Sequence, residues 1–457
     1  MSPAVAGAVE RDERLRIAPC LIQLPPLWDH HGHLAWLGAL LEQADLRGCR
    51  DLDEAIERLR MAGRELPRGA WLEGFGWDQN RWGGRYPDRA HLDALFPDRP
   101  VFLRRVDGHA AWVNSSALAM AGMGENTPDP PGGALIRERG RPTGILLDTA
   151  MEALAVVVPA PSAADLRRRL LVALAYLQGV GLSGVTDMGL DSEHIAVLAD
   201  LDRDGALPIP VEGFAWLRPA WTALPQPIRG GRFVLRGVKL FADGALGSRG
   251  GALWEPYADR PAEKGFLLWD TDEMARALAA AAAAGLESAV HAIGDRAVSQ
   301  VLDAVEHSGL PGGRIEHAQV VTDGDMARMA ALHVRAGIQP CHYLSDRDWA
   351  GERLGPRMAG AYRWGSLLRE GVPLLAGSDF PIEEPHPGRN FAACAARREA
   401  IERLTPDQLI GAYGPPADMR PMTSPTLLAC GAPDAMSCET DPSSLVFAQC
   451  AGLGEPC

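Results

Sequence analysis

The 457-residue chain is long enough for one large domain or for two or three smaller ones. Hydrophobic residues make up 47% of it and charged residues 23%, which is typical of folded globular proteins and excludes a chain that is disordered throughout. Acidic residues outnumber basic ones by 59 to 45, giving a net charge of −14. Because this charge repels phosphate groups, nucleic acid and anionic membranes are not expected as partners.

The sequence predicts neither a membrane span nor a secretory leader. The longest apolar run, 277–285, is shorter than the ~20 residues that a span needs, and the short apolar stretch at the start is followed by charges. None of the eight cysteines forms a Cys-x-x-Cys pair, which is typical of reduced thiols rather than of a structural zinc cluster. We therefore expect a cytoplasmic protein.

The predicted elements alternate between short strands and helices. A first strand is predicted at 24–28, directly before the sequence DHHGH. Seven more follow, at 184–188, 209–216, 233–241, 288–293, 314–318, 334–339 and 372–376. The clearest helix begins at Asp270, which has capping-box spacing to Glu273, and ends at Gly285. Eight strand–helix units predict an α/β fold with a TIM-type (β/α)8 barrel, although periodicity alone also allows an open doubly wound sheet.

The connection between the first and second predicted strands holds about 140 residues, far more than a loop needs. It therefore predicts an inserted subdomain. After about residue 415 the chain loses helical periodicity and becomes rich in Pro, Ser, Met and Cys. The predicted domains are an N-terminal remnant (1–23), the barrel (24–39 and 179–413), the insertion (40–178) and a divergent C-terminal tail (414–457).

The segment DHHGH (29–33) carries the first candidate metal ligands. In extended backbone alternate side chains share a face, so His31 and His33 are expected to point the same way. Two imidazoles on one face directly after a strand are well placed to bind a metal ion. The His-x-His pattern is weak alone, because two exposed loop histidines produce it as well.

Three further candidates come where predicted strands end, namely His291, His317 and Asp379. A barrel brings the carboxyl ends of its strands to one rim, so these side chains are expected to meet the His31–His33 pair. Neutral imidazoles with one carboxylate suit a divalent transition metal, and zinc is the expected ion. The sequence therefore predicts a metal centre with one or two ions.

Lys239 lies in a run, FVLRGVKLF, that otherwise predicts a buried strand. An unpaired buried ammonium is costly, so this residue should have a partner or a lowered pKa. One interpretation is an ion pair with Asp243 or an outward-pointing side chain. The other is that Lys239 points into the metal site and, if carbamylated, serves as an anionic ligand that bridges two ions.

The order Asp-x-His-x-His, Lys, His, His and Asp resembles the amidohydrolase superfamily. Longer stretches are similar to its amidohydrolase family 3 branch: FLRRVDGHAAWVNSSAL (102–118), VKLFADGALGSRGGAL (238–253), HAIGDRAV (291–298), RIEHAQ (314–319) and LLAGSDFPIEEPHP (374–387). The resemblance covers roughly residues 24–413. It implies a metal-dependent amidohydrolase that cleaves a carbon–nitrogen, amide-type bond of a small-molecule substrate through a metal-activated water.

The resemblance also implies a role for each candidate ligand. The His31–His33 pair would bind the more buried ion, the other two histidines the second, and carbamylated Lys239 would bridge them. Asp379 would bind the first ion, take the proton from the water and deliver it to the leaving amine. By the same resemblance His109 is a candidate substrate contact.

Two further side chains are substrate-binding candidates from their chemistry. Arg249, in GALGSRGG, could bind a carboxylate or carbonyl group, and His342 follows the seventh strand. Glu316 precedes His317 and should therefore face the opposite side of its strand, as an ion-pairing residue.

The sequence departs from the family pattern at both flanks. Only 23 residues precede Leu24, too few for half of the usual β-sandwich, and GAPDAMSCETDP (431–442) is at most a degraded echo of the expected C-terminal motif. We therefore expect a reduced or incomplete sandwich, and a homo-oligomer is possible.

Two alternative functions stay open beside the amidohydrolase. One is a mononuclear-metal deaminase of a cyclic amine on the same scaffold, with Lys239 unmodified, and the other is a metal-binding protein that has lost catalysis. A serine hydrolase is disfavoured because the chain lacks a Gly-x-Ser-x-Gly elbow.

Overall fold

The computed structural model describes residues 20–67, 69–106, 110–130, 132–419, 426–430 and 445–448. The strands are β1 (Cys20–Leu24), β2 (Leu27–Gly32), β3 (Ala44–Asp45), β4 (Leu72–Trp77), β5 (Val101–Arg105), β6 (Ala110–Val113), β7 (Gly133–Glu138), β8 (Arg141–Asp148), β9 (Leu182–Leu190), β10 (Val211–Trp216), β11 (Phe233–Phe241), β12 (Glu287–Ala292), β13 (Arg314–His317), β14 (Arg335–Ile338), β15 (Leu374–Ala376), β16 (Thr426–Cys430) and β17 (Leu445–Ala448). The α-helices are α1 (Leu34–Glu42), α2 (Leu52–Glu65), α3 (Arg89–Leu95), α4 (Ser115–Met120), α5 (Thr149–Ala155), α6 (Ala163–Gly179), α7 (Ser192–Arg203), α8 (Thr271–Ala283), α9 (Asp295–Ser308), α10 (Asp323–Ala331), α11 (Pro340–Asp346), α12 (Ala350–Leu354), α13 (Trp364–Arg369), α14 (Pro387–Ala396) and α15 (Pro406–Ala412).

Eight parallel strands form one sheet in the order β15-β14-β13-β12-β11-β10-β9-β2. Their side chains are mostly buried, as expected for strands covered on both faces. Three of the helices that follow these strands begin after Asp191, Asp270 and Thr322, whose side chains accept backbone N–H groups of the first turn. The predicted TIM-type barrel is confirmed.

The barrel closes between β2 and the segment that follows β15. The N–H of Asp379 donates to the carbonyl of His31 at 2.7 Å, and the N–H of His33 donates to that of Phe380 at 2.9 Å. A parallel bridge between Gly32 and Phe380 lies between these two bonds. Closure therefore joins the first and last strands of the barrel at the candidate metal ligands.

The first barrel strand lies later than predicted. Leu24 belongs to β1, which pairs antiparallel with β16, and the barrel strand runs from Leu27 to Gly32. The polar DHHGH sequence therefore continues the strand instead of following it, because the barrel interior supplies polar partners. One such partner is Ser378, whose hydroxyl donates to the Asp29 carboxylate at 2.7 Å.

The helix predicted from Asp270 is confirmed, but its capping box is not. The Asp270 side chain accepts the N–H groups of Asp272 and Glu273. The Glu273 carboxylate does not return to Asp270 and instead accepts the N–H of Ala220 at 2.7 Å. A tertiary contact therefore replaces half of the local motif.

Residues Trp36–Arg169 form a compact unit, and the rest of the chain forms the other. The smaller unit contains a six-stranded mixed sheet, β3-β4-β5-β6-β8-β7, with a core that includes the fully buried indoles of Trp77 and Trp112. The four domain boundaries inferred from the sequence stay a prediction. Within the described part of the chain, no helix combines the length and apolar character needed to cross a bilayer.

A three-stranded antiparallel sheet, β1-β16-β17, agrees with the expected reduced sandwich. The degraded C-terminal motif at 431–442 lies outside the described residues, as do residues 1–19.

Gly32 tests the closure, because a Cβ there would lie 2.0 Å from the Phe380 ring. We expect Gly32→Ala to lower the free energy of unfolding by about 1–3 kcal/mol, the usual cost of overpacking a filled interior. The measurement is denaturant unfolding of the metal-free protein. The control is Gly411→Ala in α15, where a Cβ meets no atom within 4 Å and the helix should gain slightly. Equal unfolding curves for the two variants would contradict the tight closure.

Candidate metal centre

Side chains from three different strands meet at the carboxyl-terminal mouth of the barrel. His31 lies in β2, His317 is the last residue of β13, and Asp379 lies just beyond β15. One potential ligand atom from each lies within 4.8 Å of the others, and all three residues are buried. Two imidazole nitrogens and a carboxylate are a donor set that zinc and similar divalent ions prefer. These residues form a candidate His/His/Asp metal site.

The remaining two predicted imidazole ligands lie beside this group. The Nε2 atom of His33 is 3.2 Å from Oδ1 of Asp379, and the Nε2 atom of His31 is 3.5 Å from the same oxygen. The ring of His291 lies 4.5 Å from that of His317, measured between centroids. All five predicted histidine and aspartate ligands therefore gather at one end of the barrel.

Two residues of the candidate site have backbone conformations that L-amino acids rarely adopt. The φ angle is +72° at His317 and +60° at Asp379. Such conformations cost about 1–3 kcal/mol each and persist only where the surrounding structure enforces them. At His317 the change of φ also ends the regular alternation of β13, which explains how both Glu316 and His317 reach the same region.

Lys239 is fully buried in β11, and its Nζ atom has no hydrogen-bond partner in the described structure. Burial lowers its pKa from 10.5 to about 8, although the charges of Glu316 and Asp379 oppose that shift. A buried amine without a hydrogen-bond partner, whose charge interacts with Glu316 and Asp379, suits a lysine that would help to hold a metal ion once carbamylated. The chain therefore fits a metal ion at this position.

The predicted alternative, an ion pair between Lys239 and Asp243, does not occur. Both carboxylate oxygens of Asp243 accept backbone N–H groups, from Ile293 at 3.0 Å and from Ala252 and Gly294 at 2.8 Å. Asp243 thus connects the loops that follow β11 and β12.

Three histidines of the site, His31, His291 and His317, have lowered pKa values, which favour the neutral imidazole at neutral pH. Burial, together with the charge of Lys239, lowers the pKa of His31 to about 4 and that of His291 to about 3. Burial and the neighbouring His291 place the pKa of His317 well below its usual value. Burial opposes ionisation of Asp379, but His31 and His33 lower its pKa below the usual range. Neutral imidazoles and an ionised carboxylate are the protonation states that metal binding requires.

The three predicted substrate contacts have different surroundings. His342 lies near the candidate site, with its Nε2 3.6 Å from Oδ2 of Asp379 and its ring stacked on that of His317 at 5.9 Å. Arg249 is engaged elsewhere, since its Nη2 lies 2.6 Å from Oδ2 of Asp259. His109 lies outside the described residues.

Sequence reasoning missed two side chains behind the metal site. Glu316 was expected to face away from His317, yet its Oε2 lies 2.6 Å from Nδ1 of His31. Gln339 follows β14, and its Oε1 lies 2.8 Å from Nδ1 of His317. A carboxylate that precedes a candidate ligand within a strand was the available signal, but strict strand alternation argued against it.

Comparison with known proteins places this barrel in a family. Residues 22–413 match the Amidohydrolase family. The chain belongs to that family. It is 34% identical over 411 residues to protein LONG AFTER FAR-RED 3 of Arabidopsis thaliana, covering 84% of this chain and 69% of that protein. It is 33% identical over 409 residues to putative amidohydrolase YtcJ of Bacillus subtilis (strain 168), covering 84% and 75%.

A solved relative has the same fold. The crystal structure of an uncharacterised metal-dependent hydrolase from Pyrococcus furiosus superposes with a TM-score of 0.72 at 31% identity, covering 89% of this chain and 85% of that one. A more distant curated relative, N-substituted formamide deformylase of Arthrobacter pascens, is 27% identical over 440 residues, covering 89% and 80%. Family membership confirms the resemblance seen in the sequence and the expectation of a hydrolase acting on carbon–nitrogen bonds.

The buried amine of Lys239 gives a pH-dependent prediction for the metal-free protein. The folded pKa of about 8 lies below the unfolded value of 10.5, so the unfolded chain holds more protons between these values. The free energy of unfolding should therefore rise with pH across this window. We expect Lys239→Met to lose that rise and to be at least as stable as the wild type at pH 7, because no ammonium is then buried.

The measurement is denaturant unfolding at several pH values, with the difference between the two proteins plotted against pH. Lys264 is the only other lysine of the chain and is exposed, so Lys264→Met is the matched control and should keep the wild-type rise. A difference that does not vary between pH 8 and 10.5 would refute a depressed pKa at Lys239.

Proposed function

We propose that this protein is a metal-dependent amidohydrolase that cleaves an amide-type carbon–nitrogen bond of a small molecule. The observation that carries the proposal is the approach of His31, His317 and Asp379 to within 4.8 Å of one another at the barrel mouth. Active sites of this fold lie at that end. The names of two similar proteins, a metal-dependent hydrolase and an N-substituted formamide deformylase, support the same metal chemistry and bond type.

Six residues would hold the metal: His31, His33, Lys239, His291, His317 and Asp379. When bound, a divalent ion, with zinc as our first choice, supplies a lowered pKa for water and polarises the scissile carbonyl. A carbamylated Lys239 would favour two ions, and an unmodified Lys239 would favour one. We retain a cytoplasmic location and a small-molecule substrate as parts of the proposal.

Asp379 is the proposed proton carrier. Its carboxylate is ionised, lies 3.2 Å from Nε2 of His33, and is fixed by the backbone bond to His31. An ionised carboxylate at this place accepts a proton from the attacking water at Oδ and returns it to the leaving nitrogen. His342 is proposed to contact the substrate because it lies 3.6 Å from Oδ2 of Asp379. Arg249 and His109 stay in the proposal as further substrate contacts.

Asp379→Asn tests the proton role. The substitution keeps the shape of the side chain but removes the base, so turnover should fall by about 10²- to 10⁴-fold while the fold is retained. The assay screens a library of N-formyl and N-acyl amines for amine release, with circular dichroism and metal content measured on the same samples. Full turnover by the variant would exclude Asp379, and an active, metal-free wild type would end the metal mechanism.

Carbamylation of Lys239 separates the binuclear hydrolase from the mononuclear deaminase. The neutral amine adds to carbon dioxide and releases a proton, which leaves an anionic carbamate. We expect wild-type protein equilibrated with ¹³C-bicarbonate and zinc to show one carbamate carbon resonance by NMR and two ions per chain by mass spectrometry.

The two lysines of the chain make this assignment direct. Lys239→Met should lose the resonance, and Lys264→Met should keep it. One ion per chain with no carbamate in the wild type would instead favour the deaminase reading. Stoichiometric metal without turnover on amides or cyclic amines would favour a metal-binding protein that has lost catalysis.

A further inference from the structure

The Nδ1 side of the His31 ring, away from the candidate metal position, faces a carboxylate. Oε2 of Glu316 lies 2.6 Å from this nitrogen, and both side chains are almost completely excluded from solvent. A hydrogen on Nδ1 that is donated to this carboxylate leaves the lone pair on Nε2, the nitrogen that faces Asp379. The contact therefore selects the tautomer of His31 that can bind a metal.

Glu316 is itself held in place from two directions. Its Oε1 forms an ion pair with Nε of Arg314 at 2.7 Å, and both side chains are buried. On the neighbouring strand, a Cβ at residue 337 would lie 2.1 Å from Oε2 of Glu316. Gly337 therefore provides the space that the carboxylate occupies.

Gln339 makes the corresponding contact with the Nδ1 atom of His317. Oε1 of Gln339 lies 2.8 Å from Nδ1 of His317, and Gln339 is 4% exposed. As a neutral amide it accepts the Nδ1 hydrogen without adding a charge. In both His31 and His317, Nδ1 therefore faces a buried acceptor, which leaves Nε2 free to face the candidate metal position.

We infer that Glu316 and Gln339 are positioning residues for the metal centre, with Gly337 and Arg314 fixing Glu316. Acceptors behind metal-bound imidazoles orient the ring and raise its basicity, and their loss typically weakens metal binding by about 10- to 100-fold. This inference rests on the proposed metal site, but it concerns residues outside the ligand set. It predicts loss of metal affinity without loss of any ligand.

Glu212 provides a matched control for Glu316. It is another buried carboxylate in the barrel interior, and its Oε2 lies 3.6 Å from Nη1 of Arg314. Its other contacts are to Thr186 at 3.0 Å and to Arg236 at 2.9 Å, so it has no contact with a candidate ligand. Gln300, 5% exposed and bonded to the carbonyl of Trp269, is the corresponding control for Gln339.

The experiment compares Glu316→Gln and Gln339→Met with Glu212→Gln and Gln300→Met in the full-length protein. Zinc dissociation constants are measured by chelator competition, and the visible spectrum of the cobalt-substituted protein reports ligand geometry. We expect Glu316→Gln to raise the zinc dissociation constant about 10- to 100-fold and to shift the cobalt bands. Gln339→Met should act in the same direction, and the two controls should keep wild-type affinity and spectrum.

Unfolding of the metal-free proteins separates positioning from damage to the fold. If Glu316→Gln does not fold because Arg314 loses its counter-charge, the zinc affinity and cobalt spectrum of Gln339→Met still test the inference, since replacing a neutral amide leaves no charge unpaired. Wild-type affinity and spectrum in the folded variants would overturn the inference and leave the proposed function standing, as would equal losses in variants and controls. A wild-type protein that binds neither zinc nor cobalt would overturn both.

Discussion

The candidate site depends on the closure of the barrel between its first and last strands. The backbone bond from Asp379 to His31 is part of that closure, so the same contact that joins the strands also brings a carboxylate to an imidazole. Asp29 in β2 adds a side-chain contact to this closure. Its oxygens accept the N–H of His31 at 3.0 Å and the hydroxyl of Ser378, which follows β15, at 2.7 Å. Two candidate ligands that are almost 350 residues apart in the chain are therefore brought together by the closure of the barrel.

The interior below the mouth contains several buried charged side chains, and four of them form a chain of ion pairs. Glu212 contacts Arg236 and Arg314, and Arg314 contacts Glu316, which reaches His31. A network of this kind contributes little net stability, since desolvation offsets much of the attraction, but loss of one member leaves a buried charge unpaired. The member that contacts a candidate ligand is Glu316, and its value lies in fixing the orientation of the His31 ring.

The sequence carried enough information to predict the barrel and to name residues that meet at its mouth, but not the side chains that lie behind them. Alternation of apolar strands with capped helices predicted β11 at its observed bounds, because its burial pattern is local. The start of β2 was misplaced, since the polar DHHGH segment resembles a loop until the interior partners of the barrel are known. The ion pair expected of Glu316 is present with Arg314 at 2.7 Å. Its contact with His31 was missed because strand alternation fails at His317, where φ becomes positive, and such a change has no local signature. The position of Gly337 opposite that carboxylate depends on strand register, which periodicity does not determine.

In its unmodified, protonated form, Lys239 would repel a metal ion bound at the candidate site. Unmodified and protonated, it places a positive charge among the candidate ligands of a divalent cation, and its Nζ atom has no hydrogen-bond partner among the described residues. Burial lowers its pKa to about 8, so the neutral amine is more accessible near neutral pH than that of an ordinary lysine. Only that neutral form can add carbon dioxide, and addition changes the local charge from positive to negative. The same desolvation that destabilises the metal-free protein therefore prepares the residue for the modification that a binuclear centre requires.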